Sequence, residues 1–186
     1  MNSKITDIPG LIVFEPKVIE DSRGYFYESY NKEKMTSLGA EMEFVQDNQS
    51  KSQYGVIRGL HYQKNPFAQT KLVRVLEGKI YDVALDLRKG SPGFGKWFGI
   101  ELSAENNLQL FIPKGFAHGF SVLSEKAVVL YKCDVLYNQA SEAGIKCTDK
   151  SLNIDWRIKA GSEIISAKDL NQPDFENADY NFIFKD

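Results

Sequence analysis

Residues 71–87, KLVRVLEGKIYDVALDL, decide the fold class of this 186-residue chain. Two runs rich in Val, Leu, Ile and Tyr lie on either side of the short turn at residues 77–79, which contains Gly78. Runs of this length and composition are typical of β-strands, and a short Gly-bearing turn between two such runs predicts a β-hairpin.

Further strand patterns follow on the C-terminal side of this stretch. Apolar residues alternate with other residues over 97–102 and 108–112, and residues 127–133 form a continuous apolar run with a polar end. Turn signals separate these runs, at residues 89–93, 104–107 and 124–125. Many short strands with evenly spaced turns predict an all-β sandwich or barrel. The alternation of helix and strand that a doubly wound α/β fold requires is missing.

The helical signals are few. Asn31 is a suitable N-cap, Met35 and Leu38 lie three residues apart, and Gly39 is a suitable stop, so we expect one short helix here. The tail from residue 156 to 186 is expected to be irregular or a short helix packed over the barrel. The length, and the absence of a repeat or a linker, predict one domain over residues 1–186.

Composition excludes several classes of function. The net charge of -2 and pI of about 5.8 argue against nucleic acid or an acidic membrane surface as the main partner. No apolar stretch has the length of a membrane helix or a signal peptide, so we expect a cytoplasmic protein. Cys133 and Cys147 are expected to be reduced and buried. Neither a nicotinamide-binding nor an ATP-binding glycine motif is present.

The chain has only two histidines, and both stand in unusual contexts. His61 lies in VIRGLHYQ, where Arg58 would point to the opposite face of a regular strand unless Gly59 allows a bulge. His118 follows the Pro113–Gly115 turn in IPKGFAHGF and is expected to start the next strand.

The segment around His118 has the Pro-x-Gly-x-x-His pattern that resembles the second motif of cupins, which are small jelly-roll barrels. Many cupins bind a metal, but two histidines cannot supply the usual three-histidine set, and the cysteines lack zinc-finger spacing. We therefore expect no metal. Arg23 and Arg58 are two of only five arginines, and the guanidinium group is suited to binding a phosphate.

Several motifs together resemble the dTDP-4-dehydrorhamnose 3,5-epimerase family. They are RGLHYQ at 58–63, QTKLVRV at 69–75, the segment 112–120, and the segments 21–30, 44–52 and 166–169, and the match runs in order from about residue 5 to 170. The resemblance implies a cupin jelly-roll barrel with short peripheral helices and no metal or cofactor. It also implies a homodimer with exchanged N-terminal strands. Residues 171–186 do not match closely.

The family's reaction inverts carbons 3 and 5 of a dTDP-linked 4-keto-6-deoxyhexose through an enolate, giving dTDP-4-dehydro-L-rhamnose. The resemblance assigns His61 as the base, Asp169 as the carboxylate that orients the imidazole ring, and Tyr131 as the acid on the opposite face. It assigns Lys71 to the stabilisation of negative charge on the 4-oxygen.

The resemblance also assigns substrate contacts, some of which would come from the neighbouring subunit. These residues are Arg23, Glu28, Gln46, Asp47, Asn48, Arg58, Lys71, His118, Glu142 and Lys168. One departure concerns Leu136, where relatives often carry an aromatic residue; here only the adjacent Tyr137 is aromatic. It is therefore open which residue stacks on the base or the sugar.

Three alternatives remain open from the sequence. The chain could be an epimerase of carbon 3 alone or a 3,4-ketoisomerase acting on a related dTDP-4-keto-6-deoxyhexose. It could also be a sugar-nucleotide-binding cupin without activity, although the presence of His61, Asp169, Tyr131 and Lys71 argues against loss of catalysis. A metal-dependent cupin oxygenase would require about one metal ion per chain.

Overall fold

The computed structural model describes residues 1–184, which form two packed antiparallel sheets. The strands are β1 (Asn2–Ile5), β2 (Ile12–Glu15), β3 (Ile19–Asp21), β4 (Gly24–Phe26), β5 (Gln46–Gln53), β6 (Val56–Gln63), β7 (Lys71–Glu77), β8 (Lys79–Asp86), β9 (Trp97–Ser103), β10 (Gln109–Ile112), β11 (Phe116–Val122), β12 (Lys126–Cys133), β13 (Glu142–Gly144) and β14 (Ile164–Ile165). The helices are α1 (Lys32–Ser37) and α2 (Ala167–Leu170), with single 3₁₀ turns at Gln139–Ser141 and Phe175–Asn177.

The first sheet has the strand order β1-β2-β10-β7-β12-β5, and the second has the order β13-β6-β11-β8-β9. Strand β14 pairs in parallel with β6, and β3 and β4 form a separate two-stranded ribbon. Apart from β1–β2 and β8–β9, neighbouring strands in each sheet are not consecutive in the sequence, as expected for a jelly roll. The prediction of an all-β cupin jelly-roll fold is therefore confirmed.

The predicted hairpin over residues 71–87 is wrong. Strand β7 pairs with β10 and β12 in the first sheet, whereas β8 pairs with β11 and β9 in the second sheet. Gly78, with a φ of +75°, carries the chain from one sheet to the other, and a Cβ atom there would lie 2.0 Å from the carbonyl oxygen of Lys126. Local composition identified both strands, but a glycine turn can join two sheets as readily as two neighbours in one sheet.

Three apolar clusters hold the sheets and their coverings together. The central cluster lies between the sheets and includes Val73, Ile80 and Leu110. A second cluster covers the outer face of the second sheet, where Trp156 and Phe182 pack on the strands. Strand β8 contacts both clusters, so it is buried on both faces, and this explains its almost continuous apolar sequence. A third cluster lies under α1, on the outer face of the first sheet.

The helical predictions are confirmed. The Asn31 side chain accepts a hydrogen bond from the backbone N–H of Lys34 at 3.0 Å, and Met35 is the buried residue of α1. The helix ends at Ser37, and Gly39 follows with a φ of +96°. Within residues 156–184 the tail contains the two-residue strand β14, α2 and one 3₁₀ turn and is otherwise irregular. Phe182 packs edge-on against Tyr62 of β6.

Cys133 and Cys147 are both free thiols and both buried, as predicted. Among residues 1–184, no helix combines the length and the apolar character that crossing a membrane would require.

Candidate active site

A cavity of about 370 Å³ opens between the two sheets. Strands β5, β7 and β12 of the first sheet form one wall, and β6, β11 and β13 of the second sheet form the other. The lining is rich in polar side chains, although a sandwich interior is ordinarily apolar. The lining residues are Gln46, Asn48, Ser50, Arg58, His61, Tyr62, Gln63, Gln69, Lys71, His118, Gly119, Phe120, Tyr131, Tyr137 and Glu142.

An irregularity in β6 brings Arg58 and His61 to the same cavity. The pairing of β6 with β11 shifts register between His118 and Phe120, opposite Gly59. Gly59 has a φ of +114°, and a Cβ atom there would lie 2.6 Å from the Cα atom of Gly119. The predicted bulge is confirmed, and its cause is the close approach of the two strands at a glycine pair.

His61 forms a pair with Asp169. Its Nε2 atom lies 2.6 Å from a carboxylate oxygen of Asp169, and the second oxygen accepts the backbone N–H of Gly59 at 3.4 Å. The Ser166 side chain caps α2 and accepts the N–H of Asp169, which fixes the carboxylate at the start of that helix. The His61 side chain remains 33% exposed, whereas that of Asp169 is only 5% exposed.

The environment of Asp169 favours its charged form. Burial by itself raises the pKa of this carboxyl group, but hydrogen bonds from His61, Gly59 and Ser166 hold the pKa below its ordinary value. Asp169 is therefore an anion at neutral pH and fixes the orientation of the imidazole ring. Because Nε2 faces the carboxylate, Nδ1 is the ring nitrogen available to exchange a proton with a ligand.

His118 lies directly opposite His61 in the pairing of β11 with β6. Its Nε2 atom contacts both carboxylate oxygens of Asp82, at 2.9 and 3.0 Å, and the two side chains are 6% and 0% exposed. Asp82 was missed in the sequence. The available signal was a carboxylate inside the apolar run of β8, since a buried acidic residue needs a partner.

Lys71 and Tyr131 face the cavity from adjacent strands of the first sheet. The Lys71 ammonium lies 5.7 Å from the centre of the Tyr131 ring, and desolvation lowers the pKa of Lys71. Desolvation raises the pKa of Tyr131, so its phenol keeps its proton at neutral pH. The His118 ring packs edge-on against Tyr131 with 6.5 Å between the ring centres. The candidate acid, cation and second histidine therefore form one contiguous group.

The rim of the cavity is a network of polar contacts. Glu142 forms an ion pair with Lys168 at 2.7 Å and accepts the Tyr137 hydroxyl at 3.0 Å. The Lys168 hydrogen bond is the largest of the causes that lower the pKa of Glu142. Gln46 accepts the backbone N–H of Tyr137, and its amide donates to the Asn48 side chain. Tyr137 lines the cavity, whereas the adjacent Leu136 is 62% exposed.

Three of the residues assigned to substrate binding lie away from this cavity. Arg23 pairs with Asp21 at 2.5 Å on the exposed β3–β4 ribbon, and Glu28 pairs with Lys34 at 2.5 Å. Asp47 points to the outer face of β5, where it binds Lys132 at 2.9 Å. The structure thus brings together nine assigned residues in the cavity, at its rim or behind it: His61, Lys71, Tyr131, Asp169, Gln46, Asn48, Arg58, His118 and Glu142. Lys168 reaches the rim through Glu142.

Within residues 1–184, no cluster of three or more His, Cys, Asp or Glu side chains has the arrangement needed to hold a metal ion. The expectation that the chain uses no metal or cofactor stays a prediction.

The fold and the residue types of the cavity define a class of protein, a cupin-type isomerase. The model of the dTDP-4-dehydrorhamnose 3,5-epimerase family matches residues 5–177, and the chain belongs to this family.

Individual relatives agree with this assignment. The chain is 52% identical over 181 residues to the dTDP-4-dehydrorhamnose 3,5-epimerase of Shigella flexneri, covering 97% of this chain and 99% of the relative. The crystal structure of the same enzyme from Elizabethkingia anophelis is 54% identical, with a TM-score of 0.91 over 95% of this chain and 97% of that chain. A Legionella pneumophila structure in complex with dTDP-4-keto-L-rhamnose is 47% identical, with a TM-score of 0.91 over 96% of this chain and 94% of that chain.

A more distant structure bears on the alternatives. It is a 3'-monoepimerase from Streptomyces bikiniensis in complex with dTDP, 29% identical, with a TM-score of 0.84 over 91% of this chain and 85% of that chain. In that protein a histidine and a tyrosine 70 positions apart were replaced by asparagine and phenylalanine. His61 and Tyr131 of this chain have the same separation.

Proposed function

We propose that the chain inverts carbons 3 and 5 of dTDP-4-dehydro-6-deoxy-D-glucose to give dTDP-4-dehydro-L-rhamnose. The observation that carries the proposal is the grouping of four side chains at one cavity: the His61–Asp169 pair on the second sheet, and Lys71 and Tyr131 on the first sheet. The reaction needs a base on one face of the sugar ring and an acid on the other. Two opposed sheets that each present one of these groups meet this requirement.

In the first step, His61 removes the proton from a carbon next to the 4-keto group. The electron pair of the broken C–H bond forms a carbon–carbon double bond, and negative charge moves to the 4-oxygen. The anionic Asp169 stabilises the imidazolium that forms. Lys71 faces the same cavity, and in its charged form it stabilises the negative oxygen.

In the second step, the enolate takes a proton from the opposite face. The Tyr131 phenol is the donor, because its raised pKa keeps it protonated and because it lies on the sheet opposite His61. The double bond returns to the 4-keto group as the new C–H bond forms, so the carbon is inverted. Proton exchange with solvent restores both side chains, and the same sequence at the second carbon completes the reaction.

We propose that Arg58, Gln46, Asn48, His118, Glu142 and Lys168 bind the nucleotide and its diphosphate. Arg23 and Glu28 lie away from this cavity in their own chain. This supports a homodimer with exchanged N-terminal strands, in which both residues would serve the neighbouring cavity. The exposed apolar residues of the ribbon, Tyr25 at 61% and Phe26 at 71%, are consistent with burial against a second copy. We expect the protein to act in the cytoplasm.

Mixing two variants tests the dimer. Arg23→Ala and His61→Ala proteins are each expected to be impaired, but unfolding and refolding them together would create dimers with one intact cavity. Activity of the mixture well above that of either variant supports shared sites. A monomeric mass by light scattering, or no gain on mixing, would reject the exchange.

The chemical test is one incubation with dTDP-4-keto-6-deoxyglucose in heavy water, followed by mass spectrometry. Two solvent deuterons in the sugar are expected, one for each carbon that is deprotonated. A single deuteron would indicate an epimerase of carbon 3 or a 3,4-ketoisomerase instead. The identity of about 50% to several 3,5-epimerases, against 29% to the monoepimerase, favours the double inversion. No incorporation would favour a binding protein without activity.

A further inference from the structure

Strand β5 presents a row of polar side chains to the interior of the sandwich. Three of these residues, Gln46, Asn48 and Ser50, line the cavity, and Ser52 follows on the same face because side chains alternate along a strand. Most members of the row have partners. Gln46 donates to Asn48 at 3.0 Å, Asn48 donates to the Cys133 sulfur at 3.7 Å, and Ser52 accepts the Nε–H of Arg58 at 3.0 Å.

Ser50 is the exception in this row. Its hydroxyl oxygen is buried but makes no hydrogen bond within the described part of the chain. Only one other side-chain atom in that part is buried without a partner, Oε1 of Gln109, and it lies outside this cavity. Buried polar atoms are nearly always paired in native proteins, so an unpaired hydroxyl at a ligand cavity indicates that its partner arrives with the ligand.

Arg58 identifies the kind of partner. Its Nε–H is held by Ser52, it forms no ion pair within residues 1–184, and the guanidinium group lines the same cavity as Ser50. An arginine without a carboxylate partner and a buried hydroxyl donor that line one cavity are a combination suited to binding a phosphate group. A sugar hydroxyl would not require the positive charge.

We propose that Ser50 donates a hydrogen bond to the same phosphate group that Arg58 binds. The inference rests on the proposed function in that the ligand carries a diphosphate. It gives Ser50 a role in substrate binding, and it explains why a hydroxyl without a partner occupies this position of β5.

The test compares Ser50→Ala with Gln49→Ala, a matched control in which the side chain of the next residue on the exposed face of β5 is removed. Calorimetry with dTDP is expected to show about a tenfold loss of affinity for Ser50→Ala, the effect of losing a hydrogen bond to a charged group, and no change for Gln49→Ala. An affinity of Ser50→Ala equal to that of the wild type would overturn the proposal.

Thermal melting separates binding from structure. Because the hydroxyl has no partner in the free protein, Ser50→Ala is expected to melt at the wild-type temperature or slightly above it, while the rise caused by dTDP becomes smaller. A lower melting temperature without ligand would instead show that the hydroxyl supports the fold.

A double-mutant cycle with Arg58→Ala tests whether both residues bind one phosphate. If they do, the double variant loses less affinity than the product of the two single losses, because the phosphate is already displaced. Strictly multiplicative losses would overturn the shared contact. Deuterium exchange by the wild type is measured separately, so absence of epimerase activity would reject the proposed function without deciding the role of Ser50 in binding dTDP.

Discussion

The cavity contains two histidine–carboxylate pairs on neighbouring strands that differ in their access to a ligand. In the His61–Asp169 pair the imidazole is 33% exposed to solvent. Its carboxylate comes from α2, which is distant from His61 in the sequence. The His118–Asp82 pair is 6% and 0% exposed, and both of its residues lie on adjacent strands of the second sheet. Both histidines line the cavity, but the same chemical pair occurs once with a solvent-accessible imidazole and once almost fully buried.

This difference in exposure suggests different tasks. A base must receive a proton from the ligand and return it to solvent, and only His61 has the access to do so. His118 contacts both oxygens of its carboxylate and is nearly enclosed, so we expect it to position a bound ligand. The strands place the two rings opposite each other, so substitutions can test the division directly.

The largest effect is expected for His61→Ala. Removal of the base should lower kcat by about 10³-fold while dTDP binding stays within a few-fold of the wild type, because the nucleotide contacts remain. Steady-state kinetics and calorimetry measure the two quantities. A kcat within about tenfold of the wild type would show that His61 is not the base.

The second largest effect is expected for Asp169→Asn, which should lower kcat by about 10²-fold. The amide no longer stabilises the imidazolium and can favour the wrong tautomer of His61, although the geometry is preserved. The split between kcat and KM provides the specific readout: kcat should fall while KM stays near the wild-type value, because the substrate contacts remain. An unchanged kcat together with a reduced melting temperature would mean that Asp169 acts only on the fold.

The two pairs also differ in how far the sequence predicts them. The histidines stood out because there are only two, and Asp169 was identified through the resemblance of residues 166–169 to the epimerase family. Asp82 was not identified, because a carboxylate that lies inside a strand pattern shows no partner until the sheet order is known. The unpaired hydroxyl of Ser50 is likewise a property of the folded cavity and has no sequence signal of its own.

The fold shows a similar division between local and long-range information. Alternating apolar residues predicted β9, β10 and β12, because one face of each strand is buried in the core. Strand β5 was not predicted, because its sequence, QDNQSKSQ, is polar on both faces and shows no apolar alternation. The pairing of β7 and β8 was wrong because the partner of a strand depends on the topology of the whole sandwich.

Asp82→Asn tests the buried His118–Asp82 pair. We expect a loss of about 2 kcal/mol in the free energy of unfolding, because one half of a buried hydrogen-bonded pair becomes mismatched. The effect on kcat should be below about tenfold, with a larger rise in KM if His118 positions the ligand. Urea unfolding and kinetics on the same preparation test this. A collapse of kcat equal to that of Asp169→Asn, at unchanged stability, would remove the distinction between the two pairs.

The smallest effect concerns the pH dependence of stability. The pKa of Asp169 is lower in the folded protein than its ordinary value of 3.8, so its contribution to stability is fully present above that pH and is lost as the pH falls through the folded pKa. The wild type should therefore exceed Asp169→Asn in unfolding free energy at pH 7 and pH 5, and the gap should narrow near pH 3. Urea titrations at the three pH values measure the gap.

A control substitution shows whether this pH dependence of stability is specific to the His61–Asp169 pair. Asp7 makes no ion pair within residues 1–184, so Asp7→Asn should differ little from the wild type at all three pH values. If the Asp169→Asn gap stayed constant down to pH 3, the stabilisation would come from packing around α2 and not from the charge on Asp169. The His61–Asp169 pair would then resemble the His118–Asp82 pair in having a mainly structural role. The assignment of proton transfer to His61 would depend on the kinetic measurements alone.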